Sequence, residues 1–194
     1  MTQSSDAIVP LGAMRLNSDS QKLEYWMGSA WMQIQTFSPN LDGGVRGLFM
    51  GGSPNSAGKT IDFITIPTAG NATDFGDTTI TNTSRMALSD STRGIVAGGY
   101  ASPAKSNVIE YMTIATLGNA QDFGDLTYGA YEPEGALSNS TRGVLALGDA
   151  LVLSETNAID YITIQTTGNA KDFGDLTQRI KEGAACSDSH GGIS

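Results

Sequence analysis

From Arg46 onward, short apolar runs alternate with polar, glycine-bearing segments, and no stretch shows the apolar period of a helix. RGLFMGG (46–52), RGIVAGG (93–99) and RGVLALG (142–148) are apolar runs closed by glycine, the pattern of a buried strand entering a turn. NVIEYMTI (107–114) is β-branched and aromatic. Ile109, Tyr111 and Thr113 fall on one of its faces, and Glu110, Met112 and Ile114 on the other. Both faces carry apolar side chains, so a strand covered on both sides is expected. GNAQDFGD (118–125) is rich in turn formers and reads as a turn anchored by Phe123. Short strands are expected after it, near Leu126-Thr127 and Ala136–Ser138.

These elements recur. Ile61–Asp77, Ile109–Asp125 and Ile159–Asp175 align without gaps as IDFITIPTAGNATDFGD, IEYMTIATLGNAQDFGD and IDYITIQTTGNAKDFGD, with 11 of 17 columns identical. The opening arginines, Arg46, Arg93 and Arg142, are 47 and 49 residues apart. The terminal SDSHGGIS matches SDSTRGIV and SNSTRGVL. The repeat therefore divides into three full units of about 48 residues (46–92, 93–141 and 142–190) and a partial one (191–194), with 1–45 outside it. About four short strands per unit predict an all-β, propeller-type blade.

Composition narrows the functions. The 194 residues hold 20 acidic and 11 basic side chains, a net charge of −9, which argues against a nucleic-acid or anionic-membrane surface. One cysteine (Cys186) and one histidine (His190) argue against a disulfide scaffold, a zinc site or any site needing two imidazoles. No apolar run approaches the ~20 residues of a membrane span, and MTQSSDAIVPLGAMR lacks the pattern of a signal peptide. A soluble chain without membrane insertion is expected. Cys186 occupies the slot of Leu88 and Leu137 and is expected to be a small buried residue.

The order of an apolar strand, a diglycine, a variable loop and an aromatic-bearing strand resembles a kelch-type blade over about three quarters of the chain. Gly51-Gly52 and Gly98-Gly99 match the kelch diglycine. The third unit departs with Leu147-Gly148, and Phe75, Phe123 and Phe173 stand where the kelch tryptophan is missing. Before the repeats, GAMRLNSDSQKLEYWMGSAWMQI (12–34) reads as a β-hairpin or meander with turns at Asn17–Ser20 and Gly28-Ser29. Its G-x-x-R-x-N, K-x-E and G-x-x-W pattern resembles a module of bacteriophage tail-fibre and other virion proteins. The TIxTxGNAxDFGDL and SxSTRGxxxGG wording is similar to arrays in phage tail-associated proteins.

The resemblance implies a virion structural protein, assembled in the host cytoplasm, with no enzymatic activity and no cofactor. A tail fibre or tail/baseplate component is the leading expectation, with head decoration as an alternative. The implied partners are other virion proteins bound through residues 1–45, further copies of the chain (a trimer favoured), and a host-surface glycan. Propellers have about four to eight blades, so three units close either with strands from both chain ends, Leu23–Ile34 and Ser187–Ser194, or between chains.

Candidate chemistry is sparse. Asn119, Asp122 and Asp125, with their equivalents, place oxygens in a glycine loop that suits either Ca²⁺ or Asx-turns, without EF-hand spacing. The same positions suit pairing with Arg93 and Arg142 across units. Loops 53–59, 100–106 and 149–156 differ in every unit and are candidate contact surfaces. Tyr100, Tyr128 and Tyr131 suit either stacking on a ligand or packing between blades. Trp26 and Trp31 suit either the core of the amino-terminal module or docking. Glu132, Glu134 and Asp149 are the local carboxylates that a glycosidase or lyase would use. A stand-alone carbohydrate- or protein-binding propeller is the other non-enzymatic reading.

Overall fold

The structure is a computed structural model that describes residues 9–17, 22–34, 45–52, 58–101, 103–133, 135–150 and 155–187. The closing segment 188–194 with His190, the single position Glu134 and parts of the three variable loops lie outside the described residues. The chain forms two compact units, 1–41 and 42–194. Among the described residues every named element is a strand, and no helix is long and apolar enough to cross a membrane.

In the first unit, β1 (Met14–Asn17), β2 (Lys22–Trp26) and β3 (Trp31–Gln33) form an antiparallel meander. Its register sets Met14 opposite Tyr25, Leu16 opposite Leu23, and Tyr25 opposite Met32. Alternation along the strands then puts these five side chains on one face. Arg15, Glu24, Trp26 and Trp31 share the other, where Glu24 binds Arg15 (2.9 Å) and the Trp26 and Trp31 rings lie 5.4 Å apart. The hydrogen bonds from Asn17 and Arg15 hold the Glu24 carboxyl below its ordinary range. Leu23–Ile34 thus supplies β2 and β3 of this meander, and most of the closing segment Ser187–Ser194 expected to pair with it in a fourth blade lies outside the described residues.

The second unit holds one antiparallel sheet per repeat. The first is β4 (Arg46–Met50), β5 (Thr60–Thr65) and β6 (Thr73–Asp77). The second is β7 (Met86–Ser89), β8 (Arg93–Ala97), β10 (Ala104–Thr113) and β11 (Gln121–Tyr131), with β9 (Tyr100–Ala101) beside β10. The third is β12 (Gly135–Ser138), β13 (Arg142–Ala146), β15 (Ala158–Thr163) and β16 (Lys171–Asp175). From it, β14 (Asp149–Ala150) crosses to pair with β11. The four-stranded meanders have the strand order of a propeller blade. The second and third sheets start one strand before their arginine, so the repeat boundary drawn at Arg93 or Arg142 cuts a hairpin. That hairpin explains the S-[D/N]-S-T-R word. Asp90 Oδ1 accepts the Thr92 and Arg93 N–H groups (2.8 and 2.7 Å), and Asn139 Oδ1 accepts those of Thr141 and Arg142 (2.8 and 2.7 Å).

The DFGD segment corrects the expectation of a turn, because it is a strand in all three repeats. Between Ile61 and Asp62 the register slips against Gly76 and Asp74, leaving Phe75 as the extra residue of a bulge. Phe123 and Phe173 repeat this. The glycine beside each, at φ +149°, +145° and +136°, accepts a backbone that other residues rarely adopt. The bulge turns Phe75 and Phe123 toward the following repeat, where they are 3% and 2% exposed. In the second repeat no break separates Asp125 from Leu126, so β11 runs through both.

One seam pattern joins successive sheets, and it is used twice. Phe75 and Asp77 carbonyls accept the N–H groups of Gly118 and Ala120 (2.9 and 2.8 Å), and Asp77 N–H donates to Asn119 Oδ1 (3.0 Å). Arg46 Nη1 donates to the Ile114 carbonyl (3.1 Å). One repeat later, Phe123 and Asp125 carbonyls accept from Gly168 and Ala170 (both 2.8 Å). Asp125 N–H donates to Asn169 Oδ1 (3.1 Å), and Arg93 Nη1 donates to the Ile164 carbonyl (2.8 Å). The arginines thus seek backbone oxygens of the next repeat, in place of the carboxylates expected from sequence. A carboxylate closes each seam: Thr79 N–H donates to Glu110 and Thr127 N–H to Asp160 (2.8 Å). Burial pushes the Asp160 carboxyl up, against the Thr127 hydrogen bonds.

The core follows the seams. Phe75 packs with Val96, Met112 and Ala120, and Phe123 packs with Leu145, Ile162 and Ala170 in a larger cluster. Each buried large side chain contributes about 1.5–3 kcal/mol by leaving water. Strand β10 is covered on both faces, as expected, with Ile109 buried on one and Glu110 and Met112 on the other, whereas in the third repeat Phe173 of β16 is 50% exposed. Cys186 is exposed, against expectation. It lies at the end of the array, where the covering that buries Leu88 is absent among the described residues.

Candidate functional site

The strongest candidate surface is the corner where β9, β11 and β14 meet. Strand β8 is followed by Gly98 and Gly99, with φ +67° and +100°. A Cβ on Gly98 would stand 3.0 Å from the Ala130 carbonyl, and one on Gly99 would stand 2.7 Å from the Thr83 carbonyl. Only glycine lets the chain pass this close. Gly99 N–H donates to the Ala130 carbonyl (2.7 Å), which sets Tyr100 beside the end of β11. The Tyr100 and Tyr131 ring centroids are 5.1 Å apart at 47°.

Two ion pairs flank the rings. Lys105 Nζ donates to Asp149 Oδ1 (2.6 Å) and to the Ala150 carbonyl (3.0 Å). Lys181 Nζ donates to Glu132 Oε2 (2.9 Å). The Glu132 hydrogen bond and its negative charge raise the Tyr131 phenol above its ordinary range. The Lys181 hydrogen bond lowers Glu132, and Glu132 raises Lys181 in return. Glu132 is therefore held as a carboxylate, the opposite of what a general acid requires. Tyr phenols amid fixed charged partners suit recognition of a polar, hydroxyl-rich ligand or a protein.

Of the residues singled out in the sequence, Tyr100 and Tyr131 come together although 31 positions separate them. Tyr128 is half-exposed on the same strand and makes no ring contact among the described residues. Asn119 spends its side-chain oxygen on Asp77, and no group of three acidic, histidine or cysteine side chains could hold a metal among the described residues. Trp26 and Trp31 face each other, with the Arg15 guanidinium 4.2 Å from the Trp31 ring. The apolar face behind them was missed. Met14, Leu16, Leu23 and Met32 on it are exposed. Its signal was the alternation in M-R-L-N and K-L-E-Y-W.

Comparison with protein-family models and with curated proteins finds no match for this chain.

Proposed function

We propose that the protein is a structural component of a bacteriophage virion, a tail fibre or tail/baseplate-associated protein. The amino-terminal sheet attaches to other virion proteins, and the repeat array presents a surface outward, toward a host glycan. The observation that carries this reading is the exposed apolar face of Met14, Leu16, Leu23 and Met32 on a small, separate unit. A face of this kind on a soluble sheet marks a contact surface. The phage-like wording of both units supports the same role. Gold-labelled antibody against the repeats, applied to purified particles of the encoding phage, is expected to decorate the tail. Met14→Asp combined with Leu16→Asp is expected to leave the repeats folded and remove the label. Particles free of the protein while the infected lysate contains it would overturn the reading, and label on the capsid would move it to head decoration.

The Tyr100–Tyr131 corner favours a second reading, a stand-alone carbohydrate- or protein-binding domain. A glycan array probed with the repeat-bearing chain distinguishes the outer-surface role. Binding is expected to fall at least tenfold in Tyr131→Ala, with the unfolding midpoint little changed. Glycan binding unaffected by Tyr131→Ala would remove the corner from both readings.

A further inference from the structure

The seam pattern leaves two unmatched halves. On the front of repeat 1, Phe49 is 61% exposed where its equivalents Val96 and Leu145 are 1% and 0% exposed. Ile66 stands open where Ile164 is buried. The N–H groups of Gly70 and Ala72 and the Asn71 side chain have no partner among the described residues. These are the groups that Gly118, Ala120 and Asn119 use one repeat later. On the back of repeat 3, Phe173 is half-exposed, and among the described residues no bond from another repeat reaches its carbonyl or the backbone of Asp175, as one does at Phe123 and Asp125. The Arg142 guanidinium lies 4.8 Å from the Tyr161 ring and reaches no carbonyl among the described residues.

Glycine spacing shows the same vacancy. A Cβ on Gly76 or Gly124 would stand 2.5 or 2.6 Å from the next repeat's backbone, whereas one on Gly174 would meet nothing within 4 Å. Around Arg142, Tyr161 and Asn169 lies a hollow of about 380 Å³. The two halves do not meet among the described residues: Gly174 faces open space where Gly76 and Gly124 do not, and Phe49, Ile66 and Phe173 are all exposed.

We propose that a second copy of this chain docks the front of its first repeat onto the back of the third, head to tail. The occupant is set by complementarity already realised twice. GNA at 70–72 is the word that occupies both internal seams, and DFGD at 172–175 is the word that receives it. A front of this kind supplies two N–H donors, an amide oxygen, a carbonyl for Arg142 and an apolar cover for Phe173. An unpaired strand edge beside an exposed aromatic invites such pairing. The contact is heterologous, so copies close into a ring if the rotation allows and grow into a filament if it does not. The inference rests on the seams and not on the virion reading, and either can fail alone.

The test is light scattering on the full chain across a hundredfold concentration range. The wild type is expected to reach multiples of 20.2 kDa as concentration rises. Phe173→Asp and Phe49→Asp are each expected to remain at the single-chain mass. Both side chains are exposed, so dilute unfolding midpoints matching the wild type are expected to show that both variants fold. Mixing the two variants is the decisive arm. The intact front of Phe173→Asp meets the intact back of Phe49→Asp, and a one-to-one pair is expected. A wild type that stays single at every concentration, variants that assemble like the wild type, or a mixture that stays at single-chain mass would each overturn the proposal.

Discussion

Repeats 2 and 3 share the words GNA and DFGD, yet their phenylalanines live in different places. Phe123 is sealed by Leu145, Ile162 and Ala170 of the following repeat, while Phe173 meets solvent on half its surface. Strand, bulge and positive-φ glycine are the same in both. Local sequence therefore builds the blade and aims the aromatic ring, but the neighbour decides whether that ring stabilises anything. This is the energetics of a repeat array, in which stability is a sum over units and nearest-neighbour interfaces.

The sharpest way to break this comparison is to truncate both rings. Phe123→Ala is expected to cost about 3–5 kcal/mol in urea denaturation of the dilute protein. Phe173→Ala is expected to fall within about 0.5 kcal/mol of the wild type under the same conditions. Equal losses would mean that the seams do not carry the core.

The next effect concerns the buried carboxylates. Glu110 pairs with Arg85, both nearly inaccessible to solvent, whereas Asp160 at the equivalent place is held, among the described residues, by Thr127 alone. Arg85→Ala strands a buried charge and is expected to cost about 3 kcal/mol. Asp160→Asn, at a carboxyl that burial already pushes up, is expected to cost far less. Denaturation of the two variants side by side checks the ranking.

Much of this was legible in the sequence. The period, the RG-apolar strand and the two-faced Ile109–Ile114 strand all follow from alternation and repetition. The DFGD strand was not legible, because its glycine works through a bulge that turn propensity hides. Nor were the arginine targets, since a backbone carbonyl leaves no mark in a sequence. Tyr100 and Tyr131 were visible singly, but their meeting depends on where Gly98 and Gly99 let the chain cross. The exposure of Cys186 and Phe173 depends on what lies beyond the last seam, which a column of identical residues does not encode.

Smaller effects refine the seam. Asn169→Ala removes the acceptor for Asp125 N–H and is expected to cost about 1 kcal/mol, whereas Asn71→Ala, facing the open front, is expected to change nothing in the dilute protein. Thermal unfolding of both variants measures the difference. The smallest effect is a pH dependence at Asp90. Burial opposes ionisation there, but hydrogen bonds from Gln165, Arg93 and Thr92 outweigh it and lower the carboxyl. Its contribution is therefore present above the ordinary aspartate range and fades as pH falls through the lowered folded value. Asp90→Asn, which copies Asn139, is expected to flatten that acid limb while keeping the turn. An unchanged acid limb would assign it to other carboxylates.

The most direct measurement is amide hydrogen exchange on the dilute native chain, resolved by residue. The account predicts slow exchange at Gly118, Ala120, Gly168 and Ala170, whose N–H groups bind the preceding repeat, and fast exchange at Gly70 and Ala72, which carry the same sequence without that neighbour. Equal rates in all three GNA segments would contradict the claim that the neighbouring repeat, and not the local sequence, makes the seam.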